Sequence, residues 1–286
     1  MANRVRKAVF PVAGLGTRLL PATKSIPKEM ITIVDRPLIQ YAVDEAREAG
    51  IEELIFVTGR GKSALVDYFD SALELEDLLR EKGKSLDVLE PSRVRFGELV
   101  TVRQQKPLGL GHAVWCARQI VGDEPFAVIL PDDLMVPGAL KPMVDAWDKV
   151  GGNLVATEEV PAEKTNAYGI IAPGETSGDL TEVRGLVEKP DPAEAPSRLG
   201  VIGRYILQPE VMRVLDGGER GAGGEIQLTD AMAKLIGTQP FHALKVDAVR
   251  YDCGDKAGFV IANLAMALDR EDVAPNVREF IRNVSA

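Results

Sequence analysis

A short apolar strand, KAVFPVAG, runs without a linker into a glycine turn and a basic segment, AGLGTRLLPATKSIPKEM, all within the first thirty residues. A strand that ends on glycines commits this part of the chain to a sheet with an edge a ligand can approach. Gly14 and Gly16 tolerate backbone angles closed to other residues, and without side chains they let main-chain N–H groups meet an anion directly. Arg18, Lys24 and Lys28 follow and add full positive charge, so a phosphate is expected here. A bare glycine turn after a strand is usually only a turn; the added TR and PKEM argue for more. Two familiar phosphate loops fail on spacing. A Walker A loop needs G-x-x-x-x-G-K-[ST], but no lysine follows the second glycine directly, and Pro21 and Pro27 come next. A dinucleotide fingerprint needs a third glycine where Leu19 stands, and ELIFVTG ends without the acidic residue a ribose diol requires.

Strand-like and helical runs alternate through the first half: KAVFPVAG, PLIQYAVDEAREAG closed by Gly50, ELIFVTG, LVTVRQQ, GHAVWCARQIV and FAVILPDD. Such alternation implies βαβ units in a Rossmann-like α/β fold, a mostly parallel mixed sheet flanked by helices, with ligands at the carboxyl ends of the strands. SALVDYFDSALELEDLLREKGKS has Leu and Glu at helical spacing and reads as one or two surface helices, capping the fold or meeting another subunit. From LVATEEV onward the pattern is richer in strands, with YGIIAP, TEVRGLVEKP and VIGRYIL extending the sheet and building the wall opposite the nucleotide. The tail from Asp255 to Ala286 reads as two helices around Pro275, for packing or oligomerisation. No low-complexity or Ser/Gly/Pro-rich linker divides the chain. We expect one domain over residues 1–286, with a nucleotide-binding half at about 1–150, a sugar-binding half at about 151–254 and C-terminal helices at about 255–286.

The net charge of −9 argues against nucleic acid as a partner but not against a small polyanion. Distant carboxylates are screened beyond ~8 Å, whereas an Arg–phosphate contact at about 4 Å is worth on the order of 4 kcal/mol before desolvation. No apolar run has the length of a membrane span, and MANRVRK leads into a strand rather than a signal-peptide apolar region, so the expected location is cytoplasmic. Cys116 and Cys253 show no disulfide pattern and read as reduced packing residues.

Further motifs carry chemistry. ILPDD delivers Asp132 and Asp133 at the ligand edge of a strand, and RYDCGDK places Asp252 after another β-like run, FHALKVDAVRYD. Carboxylate oxygens completed by phosphates and water are what Mg²⁺ prefers, although an aspartate here can also simply cap a turn. Zinc is disfavoured because no pair among His112, His242, Cys116 and Cys253 matches a structural-site spacing. QQKPLGLGHAV enters a helix through glycines, either a plain helix N-terminus or one that accepts an anion or a flat base. In VEKP, Glu188 and Lys189 are adjacent on a strand and therefore expected on opposite faces, ordinarily a solvated pair. GAGGEIQLTDA puts Glu225 and Asp230 near a helix start, where caps are common. No hydrolytic triad can be assembled.

The string G-x-G-T-R-L-x-P followed by P-K resembles the signature of the sugar-1-phosphate nucleotidylyltransferases, and VAGLGTRLLPATKSIPKEM is similar to their bacterial UTP–glucose-1-phosphate uridylyltransferase branch. The resemblance spans nearly the whole chain. It implies the nucleotide-diphospho-sugar transferase fold and reversible formation of UDP-glucose and pyrophosphate from UTP and glucose 1-phosphate, with Mg²⁺ as cofactor. By position it assigns Ala13, Gly14, Gly16 and Thr17 to the nucleotide, Gln104 to the uracil edge and Gly109 to the space for the ring. Arg18 and Lys28 hold the triphosphate, with Lys24 a lesser helper, and Lys189 meets the sugar phosphate. Asp132 and Asp252 become the metal pair. Asp133 turns to the second sphere or the sugar, while Gly169, Glu188, Val201 and Glu225 contact the sugar, beside Gly203. The same chemistry with dTTP or CTP and another hexose 1-phosphate, or a silent regulator that binds nucleotide sugar, stays open. A homodimer or homotetramer is expected.

Overall fold

The computed structural model describes residues 4–284; Met1–Asn3 of the basic lead-in and Ser285 and Ala286 of the tail lie outside them. In chain order the strands of the first half are β1 (Lys7–Pro11), β2 (Thr32–Ile33), β3 (Arg36–Pro37), β4 (Glu53–Thr58), β5 (Leu99–Arg103), β6 (Phe126–Ile129) and β7 (Asp133–Val136). Those of the second half are β8 (Asn153–Glu159), β9 (Gly169–Ser177), β10 (Leu180–Glu188), β11 (Leu199–Leu207), β12 (Phe241–Lys245) and β13 (Val249–Asp252). The helices are α1 (Leu38–Glu48), α2 (Ser63–Asp67), α3 (Leu73–Glu81), α4 (Leu110–Cys116), α5 (Arg118–Val121), α6 (Leu140–Val150), α7 (Glu210–Asp216), α8 (Leu228–Ala233), α9 (Lys256–Leu268) and α10 (Ala274–Val284).

Nine strands form one mixed sheet in the order β5-β4-β1-β6-β11-β8-β12-β10-β9. β1 runs parallel to both β4 and β6, and β4 to β5, as the βαβ alternation requires. Beyond β6 the character changes: β11 is antiparallel to β6 and β8, and β10 to β12 and β9, while β8 and β12 are parallel. The chain leaves β1 toward β4 and β5 on one side and returns to β6 on the other. That reversal opens a crevice at the carboxyl ends of β1 and β6, where open α/β sheets bind ligands. The glycine turn leaves β1 there, and Pro131–Asp133 leaves β6.

Alternating side chains supply two cores, one per face of the sheet. Ala8 and Phe10 of β1 pack with Ile39 and Val43 of α1 and with Met143 and Trp147 of α6. Val9 packs on the other face with Val114 of α4, Val211 of α7 and Met232 of α8. Phe10 and Phe56 meet edge-on at 5.1 Å, and each such fully buried side chain is worth about 1.5–3 kcal/mol relative to exposure. Helix α1 forms because its apolar residues recur on one face, and it stops at Gly50, whose φ of 82° suits a helix end. Helix α9 starts on Asp255, whose carboxylate accepts the N–H groups of Ala257 and Gly258.

Two elements differ from the reading of the sequence alone. GHAVWCARQIV breaks at Ala117 into α4 and α5. The Leu/Glu stretch gives the surface helices expected of it, α2 and α3, with Leu73, Leu75 and Leu78 of α3 exposed. FHALKVDAVRYD is two strands: β12 stays in the main sheet, and β13 crosses to pair antiparallel with β7 in a separate ribbon. No helix among the described residues is long and apolar enough to cross a membrane.

Candidate active site

The glycine turn is built by close packing. Gly16 has φ 65°, and a Cβ there would lie 3.1 Å from Thr23 and 3.2 Å from Lys28; only glycine fits both the angle and the space. Thr23 Oγ1 donates to the Gly16 carbonyl at 2.7 Å. Short 3₁₀ turns at Thr17–Leu19 and Lys28–Met30 then aim Arg18 and Lys28 toward the end of β6.

The ribbon supplies the carboxylates. Asp133 and Asp252 are direct partners across β7 and β13, and the Cys253 N–H donates to the Asp132 carbonyl at 2.8 Å. This pairing is how residues far apart in sequence converge. Lys28 Nζ lies 2.5 Å from Asp132 Oδ2, and Arg18 spans both aspartates, 3.6 Å from Asp132 Oδ2 and 3.5 Å from Asp252 Oδ2. Burial by itself draws the Lys28 ammonium down, but Asp132 and Glu29 overcome it and hold it above its ordinary value. Burial likewise raises Asp132, and the Lys28 charge and hydrogen bond outweigh it, leaving the carboxyl below its ordinary value. Both groups are therefore ionised at neutral pH. Burial pushes Asp133 up to about 6 against the pull of Arg250, with Asp132 adding to the rise.

Asp132, Asp252 and Arg18 line a cavity of about 360 Å³. Glu188, Lys189 and Gly169 line the same cavity, with Val201, Gly203 and Glu225 completing the predicted positions along its wall. Glu188 and Lys189 are not on opposite faces: Lys189 adopts φ 47°, its N–H donates to the Tyr168 carbonyl at 2.9 Å, and its Nζ lies 3.3 Å from Glu188 Oε1. A left-handed conformation is unfavourable for a lysine, and here it turns both side chains into the same cavity. Backbone strain of this kind gathers at functional sites.

The residues assigned to the nucleotide lie outside that cavity, along the ends of β1, β4 and β5. Ala13, Gly14, Gly16 and Thr17 form the turn itself, and the Gln104 N–H donates to the Thr58 carbonyl at 2.9 Å. The Gln104 amide is 3.0 Å from both the Gly109 carbonyl and His112 Nδ1, bracing the QQKPLGLGH loop. Gly109 has φ 110°, and a Cβ there would approach the Ile226 carbonyl oxygen to 2.7 Å and Glu225 Cβ to 2.8 Å. The missing side chain thus lets residues 225–226 pack against this loop. Lys24 lies in the neighbouring 3₁₀ turn, Ala22–Lys24. Asp133 is held by Arg250, whose Nε and Nη2 reach its Oδ1 at 2.7 and 2.6 Å. Three residues of the site were not among those expected from the sequence: Arg250 and Tyr168, which also line the cavity, and Gly254, where a Cβ would come within 2.4 Å of Arg18 Nη2. Arg250 and Gly254 flank Asp252 in RYDCGD, the one signal that could have flagged them.

Asp132 and Asp252 offer oxygen donors only, the donor type and number that Mg²⁺ takes from protein when phosphates and water complete its shell. Among the described residues no group of three His, Cys, Asp or Glu side chains converges on one point, so this pair would draw its remaining ligands from a bound substrate.

A nucleotidyl transferase family model matches residues 7–267. The chain belongs to the nucleotidyl transferase family. A UTP–glucose-1-phosphate uridylyltransferase of Komagataeibacter xylinus is 54% identical over 260 residues, covering 90% of this chain and 92% of the relative. A second protein of that name from Bacillus subtilis is 46% identical over 287 residues, covering 99% and 98%. Among solved structures, a UDP-glucose pyrophosphorylase complexed with UDP-glucose superposes with a TM-score of 0.83 at 42% identity, covering 93% of this chain and 100% of that one. A UTP-bound UGPase from Acinetobacter baumannii gives 0.88 at 42%, covering 97% and 98%. The mixed sheet with flanking helices is the fold of this family, as the sequence led us to expect.

Proposed function

We propose that this nucleotidyl transferase moves the uridylyl group of UTP to glucose 1-phosphate, giving UDP-glucose and pyrophosphate, and that the reaction runs in both directions. The observation that carries the reading is the convergence of Arg18, Lys28, Asp132, Asp252 and Lys189 around one crevice. The named activity of relatives at 46–54% identity supports it. A phosphate oxygen of the sugar 1-phosphate, ionised at neutral pH, attacks the α-phosphorus of UTP. The new P–O bond forms as the bond to the β-phosphate bridging oxygen breaks, and pyrophosphate departs with that electron pair. No proton is transferred, which fits a site without a nucleophile–base pair.

The protein's work is to bring two repelling anions together and to stabilise the charge that develops on the phosphoryl oxygens. Lys189 holds the incoming phosphate, Glu188 and the Gly169 backbone orient the hexose, and Arg18 and Lys28 hold the triphosphate. The turn at Ala13, Gly14, Gly16 and Thr17 offers N–H groups, and Gln104 reads the base. Asp132 and Asp252 would hold Mg²⁺, which when bound neutralises charge on both anions. Beside this site we place one domain in two halves, supported by a single sheet that runs through both, and a cytoplasmic location, supported by two unpaired cysteines. A homodimer or homotetramer is supported by exposed Val260, Ile261 and Leu264 on α9, and sedimentation would test it.

The experiment is UDP-glucose formation from UTP and glucose 1-phosphate over a Mg²⁺ titration, for the native protein and Asp252→Ala. Turnover that rises with Mg²⁺ and is lost at low Mg²⁺ in the variant is expected. Undiminished turnover in the variant would remove Asp252 from the metal site, and UDP-glucose binding without turnover in the native protein would favour a regulator.

A further inference from the structure

Arg204, on β11, heads the large side chains that the fold closes off from solvent, at 1% exposure, and none of the chemistry above uses it. Its Nε and Nη2 donate to the two oxygens of Glu45 on α1, at 2.9 and 2.7 Å. The rest of the guanidinium serves backbone carbonyls: Nη1 donates to Leu130 and Gly203, each at 3.0 Å, and Nη2 to Asp133 at 2.8 Å. Leu130 and Asp133 are the two ends of the turn that carries Asp132, closed by the Asp133 N–H to the Leu130 carbonyl at 3.2 Å. One planar group therefore grips the turn at both ends. Glu45 is anchored in its own right, because its Oε1 also accepts the Ala139 and Leu140 N–H groups at the start of α6, both at 2.9 Å. Gly138 leaves room for it: a Cβ there would come within 2.7 Å of Glu45 Cγ.

Stability alone is a poor reason to bury such a pair, since apolar residues of similar volume often do as well or better. What an apolar replacement cannot do is fix three carbonyls. We infer that Arg204, braced by Glu45, is a positioning residue that fixes the Leu130–Asp133 turn so that the Asp132 carboxylate is presented to the divalent cation. The inference rests on the proposed role of Asp132. It makes a chemical distinction: a lysine keeps the charge opposite Glu45 but lacks the planar fork that spans Leu130 and Asp133.

The test uses the full chain with UDP-glucose bound, measuring Mn²⁺ affinity from the loss of the free-ion electron paramagnetic resonance signal, with protein-free UDP-glucose subtracted. Forward kinetics are measured beside it, at a temperature where circular dichroism shows every variant folded. Arg204→Lys is expected to weaken Mn²⁺ binding and lower kcat by about tenfold or more, the usual scale for groups that orient a metal ligand, with the KM for UTP unchanged. Glu45→Gln should move both quantities the same way and carries the test if Arg204→Lys does not fold. Arg47→Met, which breaks the Arg47–Glu98 pair away from this turn, should lower the melting temperature and leave Mn²⁺ affinity unaltered. Native Mn²⁺ affinity in both Arg204→Lys and Glu45→Gln, with Asp132→Asn impaired, would overturn the positioning role. Native affinity in Asp132→Asn itself would overturn the metal role, and the inference with it.

Discussion

Gly254→Ala should cripple this enzyme without removing any catalytic group. A Cβ at Gly254 would lie 2.4 Å from Arg18 Nη2 and 2.9 Å from Asp132 Oδ2, against ordinary contact at 3.4–4 Å. The guanidinium must retreat by about 1 Å, and it can, because it is the far end of a flexible chain and the Arg18 side chain is 60% exposed. The fold should therefore tolerate the methyl group. The chemistry should not, since a misplacement of about 1 Å at a reacting centre can cost on the order of 10²-fold, approaching the 10²–10³-fold expected for deleting a transition-state donor outright. The assay is steady-state UDP-glucose synthesis beside a thermal melt, for Gly254→Ala, Arg18→Ala and the double variant. We expect an unchanged melt, a drop in kcat of about 10²-fold, and a double variant little worse than Arg18→Ala, because the closest approach is to the Arg18 side chain and the contact with Asp132 Oδ2 is the lesser one. Turnover within about threefold of the native enzyme while Arg18→Ala is severely impaired would refute the displacement argument; strictly additive losses would show that Gly254 acts through something other than Arg18.

Lys189→Ala should lower kcat/KM for glucose 1-phosphate by about 10²–10³-fold, and a loss smaller than about threefold would take Lys189 off the sugar phosphate. Gln104→Ala should reduce the preference for UTP over dTTP and CTP by about tenfold or more, the scale on which an unpaired polar reader blurs choice; an unaltered preference, read from kcat/KM ratios, would show that Gln104 only braces the Gly109 loop. Acid should find a weak point at Glu98. Burial favours its neutral form, but hydrogen bonds from Arg47 and the Arg95 N–H, together with their charges, more than offset that and lower its pKa in the folded state. A depressed carboxyl stabilises the fold above its unfolded pKa of about 4.3, and that contribution is lost as pH falls through the lower folded value. The gap in melting temperature between the native protein and Glu98→Gln should therefore be widest near neutrality and narrow below about pH 4, and a gap independent of pH would contradict the assignment.

The parts of this molecule legible in its sequence are those whose meaning is local. The KAVFPVAG strand, the Gly16 turn and the carboxylates after FAVIL each announce themselves within a few residues, and βαβ alternation orders the parallel strands. The antiparallel arrangement beyond β6 was not legible, since YGIIAP and TEVRGLVEKP read as strands but carry no sign of direction. Asp252 could be matched by resemblance, yet the reason it reaches Asp132 is the β7–β13 ribbon, formed by a chain that leaves the main sheet after Lys245. The left-handed Lys189 was hidden for a different reason: positive φ is a property of glycine in any sequence rule, and here tertiary contacts impose it on a lysine. Arg204 was hidden most completely. In VIGRYIL it reads as one charge in an apolar strand, and its partner Glu45 stands 159 residues away.

Uridylyl transfer at the Arg18–Asp132–Asp252 crevice can be read from pyrophosphate release by the purified protein with Mg²⁺. UTP, dTTP, CTP, ATP and GTP are each crossed against glucose, galactose and mannose 1-phosphates. The expected result is a signal dominated by UTP with glucose 1-phosphate and abolished by chelation of the metal. A signal led by another nucleotide or hexose phosphate would contradict the proposed specificity, and silence across the grid with UDP-glucose still bound would contradict catalysis.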